Sequence, residues 1–306
     1  MIVGMDIGGT KIELAEFDNK MNLVSTQRVK TPTDDYRAFM RVIASLVPRA
    51  DTEAGTARSL GICLPGVFDA EGRASAACIP CLNGQRVKQD LEDLFARPLA
   101  VENDVSAFVY SEANGGAGGG YAQVLGVVLG TGVGGGLCKN GEIYRSRQRA
   151  AFEFGHLPMP SSVMSRYQFA VRDCGCGARG CFNEYLSGRG LAWIGQQFGL
   201  AGISAEELVA RADEGEALAV TAFDAFIDCL GAFLAQLTLL YDPDVVVLGG
   251  GLSKVQAIYE CCPDAVKRHL MAGITPPPVV PPVFGDASGV RGAAMLGHRL
   301  HEALLA

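Results

Sequence analysis

The chain has 306 residues, more than one hydrophobic core usually serves, so two domains are expected. A net charge of −7 argues against the basic face that a nucleic-acid binder needs. With 49% apolar and 19% charged residues, the composition suits a well-buried globular enzyme, and no apolar run is expected to reach membrane-spanning length.

The opening Met1-Ile2-Val3-Gly4-Met5-Asp6 lacks the basic start and cleavage site of a signal peptide, which predicts a cytoplasmic protein. Ile2 to Asp6 reads as a buried strand, Gly8-Gly9-Thr10 as a turn and Ile12 to Phe17 as the returning strand. Leu23 to Lys30 alternates as a third strand. Tyr36 to Val47 has helical spacing, with Phe39, Met40, Ile43, Leu46 and Val47 on one side. Leu60 to Leu64 is a short strand ending at Pro65-Gly66, Val87 to Phe95 a helix and Leu99 to Glu102 a strand. The glycine run around Asn114 to Gly120 marks a domain boundary. Beyond it a strand (Gln123 to Leu129), a turn (Gly130-Thr131-Gly132) and a returning strand (Gly135 to Lys139) echo the start of the chain. Ala217 to Leu240 reads as a long apolar helix, and Val245 to Leu248 as a buried strand ending at Gly249-Gly250-Gly251. Strands alternating with helices imply an α/β fold.

Six motifs carry chemistry. In Asp6-Ile7-Gly8-Gly9-Thr10-Lys11 the glycines let backbone N–H groups approach phosphate oxygens. Thr10 adds a hydroxyl, Lys11 a cation, and Asp6 a carboxylate able to hold Mg²⁺ through water; an ordinary glycine hairpin fits the same residues. Gly130 to Gly136 and Leu248 to Ser253 are two further glycine turns after buried strands. Three such turns fit a nucleotide. His156 with Cys174, Cys176 and Cys181 supplies one imidazole and three thiolates, a closed tetrahedral set for structural Zn²⁺. The remaining cysteines read as core. Glu102-Asn103-Asp104 follows a strand, where α/β enzymes place ligands. Glu153-Phe154-Gly155-His156 brings a carboxylate and an imidazole beside the cysteine loop. On spacing alone, the acids of these last two motifs read as solvated loop acids.

Together these residues resemble the ROK sugar kinases of the hexokinase–actin superfamily over essentially the whole chain, ending with Gly285-Asp286-Ala287-Ser288-Gly289-Val290-Arg291-Gly292-Ala293-Ala294. Tyr185-Leu186-Ser187-Gly188-Arg189-Gly190 is most similar to the bacterial N-acetylglucosamine kinases of that family. Thr31 to Tyr36 is similar to its fructokinases. The resemblance implies two actin-like (ribonuclease H-like) lobes with a central cleft. The first lobe covers 1–115 and is completed by a helix over about 290–306. The second covers 116–289 and carries the zinc loop. It implies an ATP- and Mg²⁺-dependent kinase acting on the 6-hydroxyl of N-acetyl-D-glucosamine, with fructose, glucose, N-acetylmannosamine or a modified or anionic sugar as alternatives; it also implies a homodimer with no nucleic-acid or membrane partner. Asp104 would be the general base. Gly66, Asn103, Glu153, His156, Asn183 and Glu184 would contact the sugar. Asp6, Gly8, Gly9, Thr10, Lys11, Gly130, Thr131, Gly132, Val133, Gly134, Gly250 and Gly251 would hold the nucleotide.

The departures from the family lie on the sugar side. Asn183 stands where the family has Glu, with Glu184 next to it. Phe152 stands where it has Gly, and Cys78 where related kinases often carry Asn. A loop of small residues becomes Tyr144-Arg145-Ser146-Arg147-Gln148-Arg149, whose arginines read as a solvated loop or as an adaptation to an anionic sugar. A sugar-responsive repressor is disfavoured, because its winged helix would precede the Asp6 motif. A non-catalytic sensor is the remaining alternative.

Overall fold

The computed structural model describes residues 1–47, 59–147 and 152–306. Arg149 lies outside the described residues. The chain forms two compact α/β units, the first comprising 1–114, 145–147 and 286–306, the second 115–144 and 152–285.

Unit 1 opens with β1 (Ile2–Ile7), β2 (Lys11–Phe17) and β3 (Leu23–Lys30), followed by α1 (Tyr36–Leu46), β4 (Ser59–Leu64) and the small hairpin β5 (Val67–Phe68) and β6 (Ala74–Ser75). Then come α2 (Val87–Phe95), β7 (Ala100–Asn103) and α3 (Asp104–Ala113). The sheet order is β3-β2-β1-β4-β7, antiparallel as far as β1 and parallel beyond it. Asp35 starts α1 by accepting from the N–H groups of Arg37 and Ala38 at 2.8 and 3.0 Å. The helix buries Phe39, Ile43 and Leu46 at helical spacing.

Unit 2 repeats the plan. It contains β8 (Gln123–Leu129), β9 (Val133–Lys139), β10 (Glu142–Ile143), α4 (Ser161–Tyr167), α5 (Asn183–Leu186), α6 (Gly188–Gln197), α7 (Ala205–Asp213), α8 (Ala217–Tyr241), β11 (Val245–Gly249), α9 (Gln256–His269) and β12 (Val279–Val280). Its sheet order is β10-β9-β8-β11-β12, again antiparallel and then parallel. The return strand begins at Val133, two residues before the position the sequence pattern indicates, because Val133 pairs with Leu129 directly across the turn. The chain ends in α10 (Ser288–Leu305), which belongs to unit 1.

Side-chain alternation sorts the unit 1 sheet into two faces. Val3, Met5, Ile7, Ile12, Leu14, Ile62, Leu64 and Val101 join one cluster with Phe39, Ile43, Val87 and Leu91 of α1 and α2. The opposite face packs against α10, through Ile2, Ala15 and Phe17 with Val290 and Ala294, and through Cys63 with Ala293 of α10 and Ala107 of α3. That approach is close enough that a Cβ at Gly61 would collide with the Ala293 carbonyl.

One expectation needs correction. The 25-residue α8 is long and apolar enough to span a membrane. It nevertheless buries most of its length in unit 2 and carries Asp228, only 2% exposed, which is ion-paired to Arg166 at 2.6 Å. It is a core helix that packs against α9, α7 and α6.

Candidate active site

In unit 1 the parallel strands β1, β4 and β7 end side by side, and the motif residues of this unit lie at their C-terminal turns. Asn103 is the N-cap of α3. Its Oδ1 accepts from the N–H groups of Val105 and Ser106 at 2.9 and 3.2 Å, and its Nδ2 donates to the Gly66 carbonyl at 3.1 Å. Asn103 therefore joins two strand ends and already engages both ends of its amide. Gly66 is required there: its φ is +100°, and a Cβ would strike the Ser75 carbonyl. Asp104 is the first residue of α3, and its Oδ1 accepts from the Val105 N–H at 3.0 Å. A carboxylate in the first helical turn is favoured by the positive end of the helix dipole.

Asp6 closes β1 on the face that meets α10. Its carboxyl is pushed up to about 6, chiefly by burial and then by the charge of Asp104, while a hydrogen bond from Cys63 opposes the shift. The helix makes room for it, since a Cβ at Gly289 would lie 2.7 Å from Asp6 Oδ2. The Gly8–Lys11 turn is closed by Gly8 N–H donating to the Lys11 carbonyl at 2.9 Å and by Thr31 Oγ1 donating to the Gly8 carbonyl at 2.6 Å. Thr10 is exposed at the tip. Lys11 Nζ pairs with Glu13 Oε2 at 3.1 Å, so its ammonium already has a partner. Cys78 is exposed and its backbone lies against Gly9, where a Cβ would come within 2.9 Å of the Cys78 carbonyl. Partial burial, followed by the charge of Asp104, pushes its thiol up. Cys78 is thus not core, and neither is exposed Cys261, whereas Cys63, Cys138, Cys229 and Cys262 are buried and Cys81 is half-buried.

Unit 2 gathers the later glycine turns. Gly130 N–H donates to the Gly132 carbonyl, and Gly188 N–H to the Gly130 carbonyl, each at 2.9 Å. Gly250, with φ +81°, lies so close that a Cβ would collide with the Leu129 carbonyl. Beside these turns is a cavity of about 1060 Å³ lined by Gly130, Thr131, Gly188, Arg189, Gly251 and Lys254, among others. Val133 and Gly134 lie in β9, and Val133 donates its N–H to Asn183 Oδ1 at 3.0 Å. That N–H is therefore engaged within the protein. Arg189 and Lys254 are absent from the nucleotide set read from the sequence; the only signal for Arg189 was its place in Ser187-Gly188-Arg189-Gly190.

Glu153 is half-exposed, and its Oε2 is 4.0 Å from His156 Nε2. The other ring nitrogen, Nδ1, is 3.5 Å from Cys174 Sγ, and Cys176 Sγ is 3.7 Å from Cys181 Sγ. All four donor atoms lie within 4.8 Å of one another. Donors on a tetrahedral Zn²⁺ with Zn–S bonds of about 2.3 Å are about 3.7 Å apart, so the set fits that ion. Burial pushes Cys174 and Cys181 up, the latter to about 12; protons held there would leave when a metal binds.

Asn183 and Glu184 open α5, and Asn183 Nδ2 donates to Glu184 Oε1 at 2.9 Å. Glu184 also faces Arg172 at 3.6 Å, whose guanidinium lies 4.8 Å from the centre of the Trp193 ring. Phe152 has φ +80°, the region where glycine is at ease. Its ring stands edge-on to Tyr144 and Phe154, with centroids 5.7 and 5.5 Å away.

A family model described as ROK family matches residues 2–299. The N-acetylgalactosamine kinase AgaK of Shewanella sp. (strain ANA-3) is 46% identical over 302 residues, 98% of this chain and 97% of that protein. The N-acetyl-D-glucosamine kinase of Escherichia coli O139:H28 (strain E24377A / ETEC) is 40% identical over 299 residues, 97% of this chain and 99% of that protein. Among solved structures, the ROK hexokinase from Thermus thermophilus matches with a TM-score of 0.84 at 29% identity and covers 99% of each chain.

Proposed function

The chain belongs to the ROK family, and we propose that it is an ATP-dependent kinase that phosphorylates the 6-hydroxyl of an N-acetylhexosamine. N-acetyl-D-glucosamine and N-acetylgalactosamine are the two substrates to compare, because relatives carrying each name are 40% and 46% identical. The observation that carries the reading is the placement of Asp104 on the first turn of α3, within electrostatic reach of Asp6 at the end of β1.

Asp104 accepts the proton of the sugar 6-hydroxyl as that oxygen attacks the γ-phosphorus in line. The bond from the γ-phosphorus to the bridging oxygen breaks, and ADP leaves. Asn103 fixes the strand end from which Asp104 projects. The glycine turns and the Arg189–Lys254 cavity of unit 2 receive the nucleotide. Mg²⁺, when bound, supplies charge neutralisation at the phosphates. Asp6 would hold it through water, and a cation there would favour the charged carboxylate that burial and the charge of Asp104 oppose. Zn²⁺ would be held by His156, Cys174, Cys176 and Cys181 and would fix the His156 ring, leaving Nε2 beside Glu153 for a sugar hydroxyl.

The test is ADP release across a panel of N-acetylglucosamine, N-acetylgalactosamine, N-acetylmannosamine, glucose and fructose, with the product identified by phosphorus NMR. A 6-phosphate of an N-acetylhexosamine is expected. Phosphorylation at another hydroxyl, or no turnover by folded protein, would overturn the reading.

A further inference from the structure

Four side chains line up across the unit 1 sheet. In register, Glu13 of β2 pairs with Asp6 of β1, Asp6 with Cys63 of β4, and Cys63 with Glu102 of β7. All four occupy the face that meets α10, since their neighbours Ile12, Ile7, Ile62, Leu64 and Val101 belong to the opposite cluster. Three carboxyl groups thus share one row, and Asp104 follows directly on β7.

Both ends of the row carry cations. At one end Glu13, 5% exposed, accepts from Arg28 Nε and Nη2 at 2.9 and 3.0 Å and from Lys11. At the other end Glu102, 7% exposed, accepts from Arg145 Nε and Nη2 at 3.2 and 3.0 Å, both on Oε2. Its second oxygen, Oε1, accepts from the Asn103 N–H at 3.1 Å. A chain of contacts therefore runs from Arg145 through Glu102 to the backbone of Asn103, the residue that caps α3 and holds Gly66. Arg145 stands on a loop with its side chain half-exposed, as its sequence context suggested, and its guanidinium is paired there with the buried Glu102. It follows directly on Tyr144, yet residues 145–147 belong to unit 1.

We propose that Arg145 is a positioning residue of the phosphoryl-transfer site. By neutralising Glu102 it holds the Asn103–Asp104 strand end in place and keeps an uncompensated buried carboxylate away from the base. This inference rests on the kinase reading for its kinetic consequences, but its structural consequence can be read without turnover. An uncompensated Glu102 disturbs the ladder end, whereas a neutral residue at 102 would not, so the effect of losing Arg145 depends on the charge of its partner.

The experiment compares the wild type with Arg145→Ala, Arg145→Lys, Glu102→Gln and the Arg145→Ala/Glu102→Gln double variant. Hydrogen exchange is followed at the amides of residues 103–106, together with kcat and KM for sugar and for ATP. Arg145→Ala is expected to speed exchange at these amides by about tenfold and to lower kcat by about 10–100-fold, with the KM for ATP within about twofold of wild type. Arg145→Lys restores part of the loss. In the double variant, Glu102→Gln removes most of the penalty of Arg145→Ala. Wild-type exchange in Arg145→Ala would overturn the proposal. So would a kinetic loss of equal size in the Glu102→Gln background, which would mean that Arg145 touches the ligand itself. Absence of turnover in the wild type would count against the kinase reading alone, since the exchange measurement still decides the role of Arg145.

Discussion

Asn183 Oδ1 accepts the Val133 N–H at 3.0 Å, which ties the start of α5 to the first residue after the Gly130–Gly132 turn. Asn183, which the family resemblance would place against the sugar, therefore braces the turn proposed above to receive the nucleotide. Asn183→Ala leaves that N–H unpaired and loosens the turn, and the lost hydrogen bond is worth about 1 kcal/mol. The KM for ATP should rise by about fivefold, with a smaller change in the KM for sugar. Steady-state kinetics with each substrate varied in turn decide this. A rise in the sugar KM alone would place the side chain of Asn183 in the sugar pocket instead.

Phe152 combines a strained backbone with good packing. Its φ of +80° is costly for a bulky residue, on the order of 1–3 kcal/mol, and its edge-on contacts with Tyr144 and Phe154 offset that cost. Phe152→Ala should lose the packing and keep the strain, destabilising unit 2 by about 3 kcal/mol. Phe152→Gly loses the same packing but relieves the strain, so it should be the more stable of the two by about 1 kcal/mol. Urea unfolding of both variants measures the order. If the alanine variant is the more stable, the left-handed backbone is not a source of strain.

Asp6 makes stability depend on pH. Its carboxyl is raised from 3.8 to about 6, so the folded state keeps a proton that the unfolded chain has already released. Stability from this group is full below about pH 4 and is lost as pH rises through about 6. Asp6→Asn should therefore stabilise the protein at pH 7.5 by on the order of 1–3 kcal/mol in Mg²⁺-free buffer, with no gain at pH 4. The same variant should weaken Mg²⁺–ATP binding. Urea midpoints at the two pH values provide the check, and equal effects at both would contradict the electrostatic assignment.

The cysteine loop should carry one Zn²⁺ per chain. Its backbone is shaped for this by Cys174 N–H donating to the Ala178 carbonyl at 2.9 Å and by Gly180 N–H donating to the Arg172 carbonyl at 2.8 Å. A strong chelator should remove the metal and lower thermal stability, and Cys176→Ser should reproduce the loss. Elemental analysis of freshly purified protein that finds no zinc would exclude the site.

The sequence made the local parts readable. A buried strand, a glycine turn and a return strand are contiguous, so β1–β2 and β8–β9 could be read as an echo, and the structure gives both sheets the same order and sense. Cys174, Cys176 and Cys181 are close in sequence and meet His156 in space. Long-range pairings were not readable. Glu102 and Arg145 are 43 positions apart, and nothing local distinguishes Arg145 from Arg147. The positive φ of Phe152 suits the glycine that the family resemblance implies at that position, but the aromatic contacts that let Phe stand there come from Tyr144, Phe154 and Tyr241. The full apolar length of α8 is underestimated from the sequence, and its neighbours in unit 2 account for that apolarity.

The most direct test of the account is turnover by Asp104→Asn on whichever N-acetylhexosamine the wild type phosphorylates best. The amide keeps the shape of the side chain but cannot take the proton from the 6-hydroxyl. The account predicts a loss of kcat of roughly 10²–10⁴-fold with ATP binding retained. Turnover close to wild type would show that Asp104 is not the base and would contradict the central claim.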